Sequence, residues 1–268
     1  MKDISEFKFQ KSDPERSLEP LKKSWRESLT SPQDGMWESL TNESNHWSIN
    51  FANQTIGYAC VDDDGCMLQF FVLPSWLDKG RDIFKKFVTE NTVTSAIVGT
   101  NNPVFLSLIT HFQKSVEVHT YLFTDVIETS VPEKTPILKV SEKEDLSRIV
   151  DFCHNSMGAP KDWLTGYISD LIETGEVFLL LENETSIIGT CEVRKSHSNP
   201  EVADLGMIIS LDCRGEGWGT YLLGKAKEIA TQWNRKPICS CEKENIGSLK
   251  CIQNNGFRSY HQMLACKL

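Results

Sequence analysis

Residues 205–233 read LGMIISLDCRGEGWGTYLLGKAKEIATQW. The stretch begins with an apolar run at residues 207–211, which predicts a buried strand, and ends with apolar residues three or four positions apart, which predict a helix. The turn between them, RGEGWG at residues 214–219, contains three glycines. The first amides of a helix have no internal partners and the helix dipole adds positive charge there, so such a turn can bind phosphate oxygens. The missing Cβ atoms allow a ligand to approach the backbone closely.

The spacing of the glycines excludes two common nucleotide-binding motifs. A Walker loop ends in Gly-Lys-Ser/Thr, whereas this run ends in Gly219-Thr220-Tyr221. The dinucleotide fingerprint needs Gly-x-Gly-x-x-Gly and normally opens a domain. Here the spacing is Gly-x-Gly-x-Gly, and Glu242, which could imitate the ribose-binding acid, lies close to the end of the chain. Neither motif fits.

The spacing that fits is Arg-x-x-Gly-x-Gly, formed by Arg214, Gly217 and Gly219. It matches the acyl-CoA pyrophosphate motif of the GNAT superfamily of N-acetyltransferases. The segment NIGSLKCIQNNGF at residues 245–257 is similar to the last helix of that family, and the two motifs have the family's order and separation. The sequence therefore resembles a GNAT acetyltransferase. The resemblance implies an α/β (α+β) fold with a mixed, mostly antiparallel sheet flanked by helices, and an acyltransferase that moves an acetyl group to a primary amine.

The resemblance also implies a binding site for acetyl-CoA, the acyl donor. The amides of Met207 and Ile209 would donate to the thioester oxygen as it gains charge, and the amides of residues 214–220 would hold the pyrophosphate. Arg214 either adds charge or orders the loop, and Asn245 either caps the last helix or bonds the pantetheine arm. The implied cofactor-binding residues are Met207, Ile208, Ile209, Arg214, Gly215, Glu216, Gly217, Trp218, Gly219, Thr220 and Asn245.

The residues that would move protons depart from the family pattern. The family's tyrosine, often the general acid, falls at Ile252, and the glutamate used as base by peptide N-terminal acetyltransferases falls at Ser240. Asp204, at the start of the central strand, is the predicted catalytic base, and the alternative is a solvated carboxylate at a strand end. Solvent can also deprotonate the amine. Other candidates are Glu192, Glu201 and His197 for the base and Tyr260 for the acid.

Both halves of the chain show a similar order of predicted elements, which indicates two domains. The predicted domains are residues 1–130 and 136–268, and the polar, proline-bearing segment at residues 128–136 is the predicted linker. The second domain carries the motifs described above and is the predicted catalytic domain.

The first half lacks the features of the glycine-rich loop. At an offset of 137 positions, residues 74–82 align with residues 211–219, and Gly80 is the glycine that is retained. Aspartates at two of the other positions, Asp78 and Asp82, would repel a phosphate. The first half is therefore predicted to be a degenerate GNAT-like copy without a cofactor site. The alternative is an unrelated α/β domain whose order of elements matches by chance.

The composition limits the partners. The chain has 268 residues, a net charge of −9 and a pI near 5.2, and the acidic excess predicts no nucleic acid or membrane partner. Nine cysteines without Cys-x-x-Cys spacing and six histidines without metal-ligand spacing predict free thiols and no metal. The first residues lack the apolar core of a signal peptide, and glycine, asparagine and proline interrupt the charge-free residues 92–112. A cytoplasmic protein is predicted, and the sequence leaves monomer or homodimer open.

The sequence leaves two other functions open beside N-acetyl transfer to a small molecule or peptide. The departures at Ile252 and Ser240 are compatible with a non-catalytic acyl-CoA-binding regulatory module. The tandem arrangement is also similar to that of GNAT transferases which use an acyl donor larger than acetyl-CoA.

Overall fold

The computed structural model describes residues 4–12, 18–131, 133–183, 186–196 and 198–268. It divides into two compact units: unit 1 contains Met1–Tyr121 and His261–Leu268, and unit 2 contains Leu122–Tyr260. Each unit has a mixed, mostly antiparallel sheet flanked by helices, as predicted. Within the described part of the chain, no helix is long and apolar enough to cross a bilayer.

Among its described residues, the first half of the chain forms six strands and four α-helices. The sheet of unit 1 pairs its first four strands antiparallel in chain order and its fourth and fifth strands in parallel. Aromatic side chains fill its core, where the ring centroids of Phe70 and Phe84 are 5.0 Å apart. The elements are β1 (Phe7–Lys11), α1 (Glu19–Ser28), α2 (Gly35–Glu43), β2 (Asn45–Phe51), β3 (Gln54–Val61), β4 (Cys66–Val72), α3 (Gly80–Glu90), β5 (Ser95–Gly99), α4 (Pro103–Thr110) and β6 (Ser115–Asp125).

The second half repeats this order of elements. A strand, two helices and three strands are followed by a helix, a strand, a helix and a last strand, as in the first half, so the predicted internal similarity extends to every element of the repeat. The elements are β7 (Ile137–Val140), α5 (Leu146–Met157), α6 (Lys161–Glu173), β8 (Val177–Leu181), β9 (Ile187–Lys195), β10 (Val202–Ile209), α7 (Trp218–Gln232), β11 (Lys236–Glu242), α8 (Ile246–Asn254) and β12 (Phe257–Lys267).

The last strand of each half has residues in both units. The C-terminal part of β12 belongs to unit 1, where it pairs antiparallel with β5 from Met263↔Gly99 to Lys267↔Ser95. The end of β6, residues 122–125, belongs to unit 2. Each compact unit therefore combines residues from both halves of the sequence.

The sheet of unit 2 has different helices on its two faces. Alternate residues of a strand point to opposite faces. Val177 and Leu179 of β8 pack in one core with residues of α5 and α6, whereas the ring of Phe178 lies 6.4 Å from that of Trp233, at the end of α7. One face of the sheet therefore meets α5 and α6, and the opposite face meets α7.

Two predicted bounds are wrong. The apolar run predicted a central strand at residues 207–211, whereas β10 begins at Val202 and ends at Ile209, because the strand continues through a buried aspartate that the hydropathy pattern does not count. Ser31-Pro32 in the sequence predicts a helix start, whereas α2 begins at Gly35, because the Asp34 carboxylate caps its first amides. The sequence Ser-Asp-Pro-Glu at residues 12–15 predicts the start of the first helix, and residues 13–15 lie outside the described residues.

Much of the predicted linker packs against unit 2. The described residues 126–131, 133 and 134, called the strap below, lie beside α7 and α8 of unit 2. The amide of Ile127 donates to the carbonyl of Gly256 at 3.0 Å, and Lys227 Nζ donates to the Ile127 carbonyl at 3.1 Å. The Thr129 hydroxyl donates to the Asn255 carbonyl at 3.2 Å. Direct backbone contacts therefore fix the position of the strap.

The sequence predicts a capping box before α5 from Ser141 and Glu144, and the structure places it one residue later. Glu142 and Asp145 form it, whereas the hydroxyl of Ser141 donates to the carbonyl of Val177. The Asp145 carboxylate is 8% exposed and is bonded by the Glu142 amide, Lys139 and Arg148. Burial alone would raise the pKa of this carboxyl, but these donors outweigh burial and lower it.

We expect Asp145→Asn to lower the free energy of unfolding by about 2 kcal/mol at pH 7, because the variant leaves two cations without their anion. A carboxyl with a lowered folded pKa stabilises the fold above its unfolded pKa, and this contribution is lost as the pH falls through the folded value. Urea unfolding should therefore show the difference from wild type at pH 7 and a smaller one near pH 3. Asp151→Asn, which breaks an exposed ion pair with Lys161, is the matched control and should change stability by less than about 0.5 kcal/mol. Equal losses in the two variants would contradict the assignment.

Candidate functional site

The central strands of unit 2 separate along their length. β10 and β11 pair in parallel from Val202↔Lys236 to Asp204↔Ile238. Among the described residues this ladder ends there, although β10 continues to Ile209 and β11 to Glu242. The two strands therefore border a wedge-shaped gap that opens from Asp204, and no local pattern in the sequence indicated it.

The backbone of β10 presents hydrogen-bonding groups to this gap. The amide of Ser210 donates to the carbonyl of Ile188 at 2.9 Å, which fixes the phase of the antiparallel ladder between β9 and β10. Because successive residues of a strand direct their N–H and C=O groups to opposite edges, those of Leu205, Met207 and Ile209 face β11. Two of these are the residues whose amides the family resemblance implicates.

The glycine-rich loop follows the open end of β10. Gly217 has φ = 82° and is the residue before the first turn of α7, so the loop reaches the helix through a left-handed conformation that glycine adopts without strain. A Cβ atom on Gly219 would lie 2.8 Å from the Cys251 Sγ and 3.3 Å from the Met207 Sδ, so the helix packs directly on the strand. The Trp218 indole donates to the Glu216 carboxylate at 3.1 Å.

Arg214 bonds to protein carbonyls on either side of the loop. Its Nε donates to the Ile209 carbonyl at 3.3 Å, and its Nη2 donates to the Ser156 carbonyl at 2.9 Å. The sequence left two roles open for this residue, and these contacts correspond to ordering of the loop.

Lys134, at the end of the strap, also reaches the loop. Its Nζ donates to the Glu216 carbonyl at 3.1 Å and lies 3.6 Å from the centroid of the Trp218 ring. A Cβ atom built on Gly217 would be 3.9 Å from this ammonium. Lys134 was not identified from the sequence, because this residue lies far before the loop in the chain.

The last helix contains one implied site residue and one departure from the family. The side-chain oxygen of Asn245 accepts from the Ser248 amide at 3.1 Å and caps α8, which is one of its two predicted roles. Ile252, at the position of the family's tyrosine, is buried and provides no proton donor. Tyr260, the alternative acid, is 69% exposed on β12.

The predicted base, Asp204, is 1% exposed. It is the register partner of Arg194 on the face of the sheet that meets α5 and α6. Glu192, two residues before Arg194, lies on the same face, with its side chain 14% exposed. Of the other candidates, Glu201 is exposed and His197 lies outside the described residues.

The corresponding segment of unit 1 has a different backbone. A short 3₁₀ helix, Pro74–Lys79, connects β4 to α3. Gly80 is the buried first residue of α3 and has φ = −52°. Residues 74–82, all of which the structure describes, include none with positive φ. The aligned aspartates, Asp78 and Asp82, are exposed.

An open cavity of about 410 Å³ lies on unit 1 beside the triple-aspartate turn. The Asp62 carboxylate accepts from the amides of Asp64 and Cys66 at 3.0 and 2.8 Å, so this acidic segment closes a hairpin. Within the described ranges, no group of three or more His, Cys, Asp or Glu residues is arranged to hold a metal ion.

Comparison with protein families shows what this arrangement is. A model described as an acetyltransferase (GNAT) domain matches residues 15–126, and a second model with the same description matches residues 133–258. The chain belongs to the GNAT acetyltransferases, a family of acyltransferases that use acetyl-CoA, and it contains two GNAT domains in tandem.

Solved structures show the same fold over nearly the whole chain. An acetyltransferase of the GNAT family from Colwellia psychrerythraea is 26% identical, with a TM-score of 0.93 over 97% of this chain and 99% of that chain. A GCN5-related N-acetyltransferase from Sphaerobacter thermophilus is 13% identical, with a TM-score of 0.72 over 98% and 95% of the two chains. A tandem GNAT protein from the clavulanic acid biosynthesis pathway is 13% identical, with a TM-score of 0.67 over 98% of each chain. A search of curated proteins found no significant sequence match.

Proposed function

We propose that this protein is an acetyl-CoA-dependent N-acetyltransferase that moves an acetyl group directly to a primary amine of a small molecule or peptide. The sequence from residue 136 to 268 carries the cofactor loop, and residues 1–130 are the degenerate copy. The observation that carries the proposal is the open backbone edge of β10, which leads into the glycine-rich N-terminus of α7. A reactive thioester and its pyrophosphate need these two features next to each other.

In this proposal the backbone provides most of the site. The amides of Met207 and Ile209 face the gap and donate to the thioester oxygen, where charge develops as the amine attacks. The amides at the start of α7 bind the pyrophosphate, and the helix dipole favours its negative charge. A Cβ atom on Gly219 would lie 3.3 Å from the Met207 Sδ, so the start of α7 packs against the strand that is proposed to hold the thioester.

Direct transfer is favoured over an acyl-enzyme intermediate because two thiols of unit 2 are poor nucleophiles. Burial raises the pKa of Cys241 on β11 to about 11 and that of Cys153 on α5 to about 11. A thiol must be ionised to attack a thioester rapidly. All nine cysteines are free, which supports a reducing cytoplasmic compartment.

The role of Asp204 as base stays a prediction. A catalytic base must contact the proton that it removes, and a carboxylate that is 1% exposed is poorly placed for contact with an incoming substrate. Its register pairing with Arg194 favours a role in positioning that residue instead.

Thiol release measured with acetyl-CoA and a panel of primary amines tests the proposed function. Amine-dependent release of CoA above the hydrolytic background is the expected result. Binding of acetyl-CoA without turnover of any amine would favour a non-catalytic acyl-CoA-binding module. Faster turnover with a larger acyl donor would favour the alternative tandem-GNAT transferase.

We expect Lys134→Met to raise the Kd for acetyl-CoA about three- to ten-fold, because it removes a cation next to the loop that binds the pyrophosphate. Isothermal titration at low and moderate salt measures this, and the loss should be larger at low salt. Lys225→Met is the matched control, since this lysine is on α7 and pairs with Glu228. An unchanged Kd for Lys134→Met would contradict the assignment.

A further inference from the structure

A charged and aromatic side-chain cluster lies on the α5/α6 face of unit 2. The Tyr167 hydroxyl on α6 donates to Glu192 Oε2 on β9 at 2.5 Å. Arg194 Nη1 donates to the tyrosine oxygen at 3.0 Å, and Arg194 Nε lies 3.6 Å from the same Oε2. The side chains of Glu192 and Arg194 are 14% and 17% exposed, so most of the cluster is withdrawn from water.

The Glu192 carboxylate lies over the strand that borders the gap. Glu192 is the register partner of Gly206 on β10, and a Cβ atom on Gly206 would be only 3.3 Å from Oε2. The next residue, Met207, directs its backbone to the gap where the thioester is proposed to bind. The carboxylate is therefore one residue away from the proposed acetyl site, on the face opposite α7.

One oxygen of this carboxylate makes the contacts within the cluster. The Tyr167 hydroxyl and Arg194 Nε both lie against Oε2 of Glu192. Burial and the negative charge of Glu192 raise the pKa of Tyr167, so this phenol keeps its proton and remains a donor. These two contacts hold Oε2 in place.

The surroundings of Glu192 suit a cation attached to an apolar group. Among positions 192, 194 and 204 of this face, two carboxylates, Glu192 and Asp204, accompany one guanidinium, Arg194. The Trp163 ring stacks on Tyr167 with centroids 4.9 Å apart and is 44% exposed. The exposed ring of Trp163 can make both an apolar contact and a cation–π contact with a ligand.

We infer that Glu192 is the catalytic base for the acceptor, binding its ammonium group through Oε1 and removing one proton, with Tyr167 and Arg194 as positioning residues. The acceptor class is a primary ammonium on an apolar or aromatic skeleton that contacts Trp163. This inference rests on the proposed function and adds the acceptor side to it.

The proposed step is balanced. A proton passes from the ammonium nitrogen to Glu192, and the freed lone pair forms the C–N bond at the thioester carbonyl. Collapse of the tetrahedral intermediate breaks the C–S bond, whose electron pair leaves on the CoA sulfur. The second proton on nitrogen goes to that thiolate, and Glu192 returns its proton to solvent. The products are the amide, CoA and one proton.

Two nucleophiles of matched shape test this role. 2-Phenylethylamine is an ammonium ion at pH 7, whereas O-benzylhydroxylamine has nearly the same shape and is neutral. We expect Glu192→Gln to lower kcat/KM at least 100-fold for the first and less than five-fold for the second, with the Kd for acetyl-CoA unchanged within two-fold.

Tyr167→Phe should show the same preference with a loss of about ten-fold for the ammonium substrate. Glu176→Gln, which removes another buried carboxylate that is paired with Lys195, should leave both rates unchanged.

The results separate this inference from the proposed function. Equal losses with both nucleophiles, or none, would overturn the role of Glu192, because only the charged substrate needs a base. A wild-type protein that binds acetyl-CoA but does not acetylate 2-phenylethylamine would overturn the acceptor class. A protein that does not bind acetyl-CoA would overturn the proposed function itself.

Discussion

Gly217→Asp is expected to raise the Kd for acetyl-CoA at least 100-fold. The residue is exposed at the start of α7 with φ = 82°, and in the proposed function its backbone lies close to the pyrophosphate. A carboxylate there would face a ligand of like charge at a distance of a few ångströms, which costs about 1–4 kcal/mol depending on the local dielectric. The bulk of the side chain would add to this loss. Isothermal titration or fluorescence quenching of Trp218 measures the change.

The matched control is Gly175→Asp. Gly175 also has positive φ, at 68°, and a Cβ atom there meets nothing within 4 Å. It precedes β8 and lies outside the loop, so this variant introduces the same charge and the same backbone strain without a charge at the helix N-terminus. We expect its Kd for acetyl-CoA to stay within two-fold of wild type. A similar loss in both variants would show that strain or net charge, and not the loop, controls binding.

Gly256→Ala is expected to lower the free energy of unfolding of unit 2 by at least about 3 kcal/mol, among the larger effects of single substitutions. A Cβ atom at this position would lie 2.0 Å from the carbonyl oxygen of Ile127 in the strap, so one of two backbone segments must move. The residue also has φ = 84°, which adds strain for alanine. Urea unfolding followed by tryptophan fluorescence measures the loss, together with a lower Tm.

Gly158→Ala separates the clash from the strain. Gly158 ends α5 with φ = 78° and has nothing within 4 Å of its missing Cβ. Its substitution should cost only about 1 kcal/mol. If Gly256→Ala is no more destabilising than Gly158→Ala, the strap does not pack against Gly256 as the structure shows.

The glycine at position 256 shows what a motif can and cannot indicate. It was identified only as part of a segment similar to the family's last helix. The structure adds the reason that glycine is required there, which is a backbone carbonyl from the strap. Because the strap is more than one hundred residues away in sequence, no local spacing could predict this contact. For the same reason the sequence predicts only a linker at residues 128–136 and not its packing against unit 2.

The loop and the acceptor side differ in how well they could be predicted. Arg214, Gly217 and Gly219 lie within six consecutive residues, so their spacing is itself the signal, and the family and the fold class that it indicated are confirmed. The assignment of the individual cofactor contacts stays a prediction. The Glu192 cluster joins α6 to β9, and its members become neighbours only through strand pairing and helix packing. From the sequence alone, Glu192 is therefore only one of several candidate bases.

The sequence was sufficient for the family, the tandem repeat and the order of the elements because these depend on periodicity and spacing between near neighbours. The opening of the gap between β10 and β11, the approach of Lys134 to the loop and the burial of Asp204 depend on contacts between residues far apart in the chain. Those contacts follow from how the strands pair and how the helices cover them. A hydropathy pattern indicates which side chains are buried, but it does not indicate which of them contact each other.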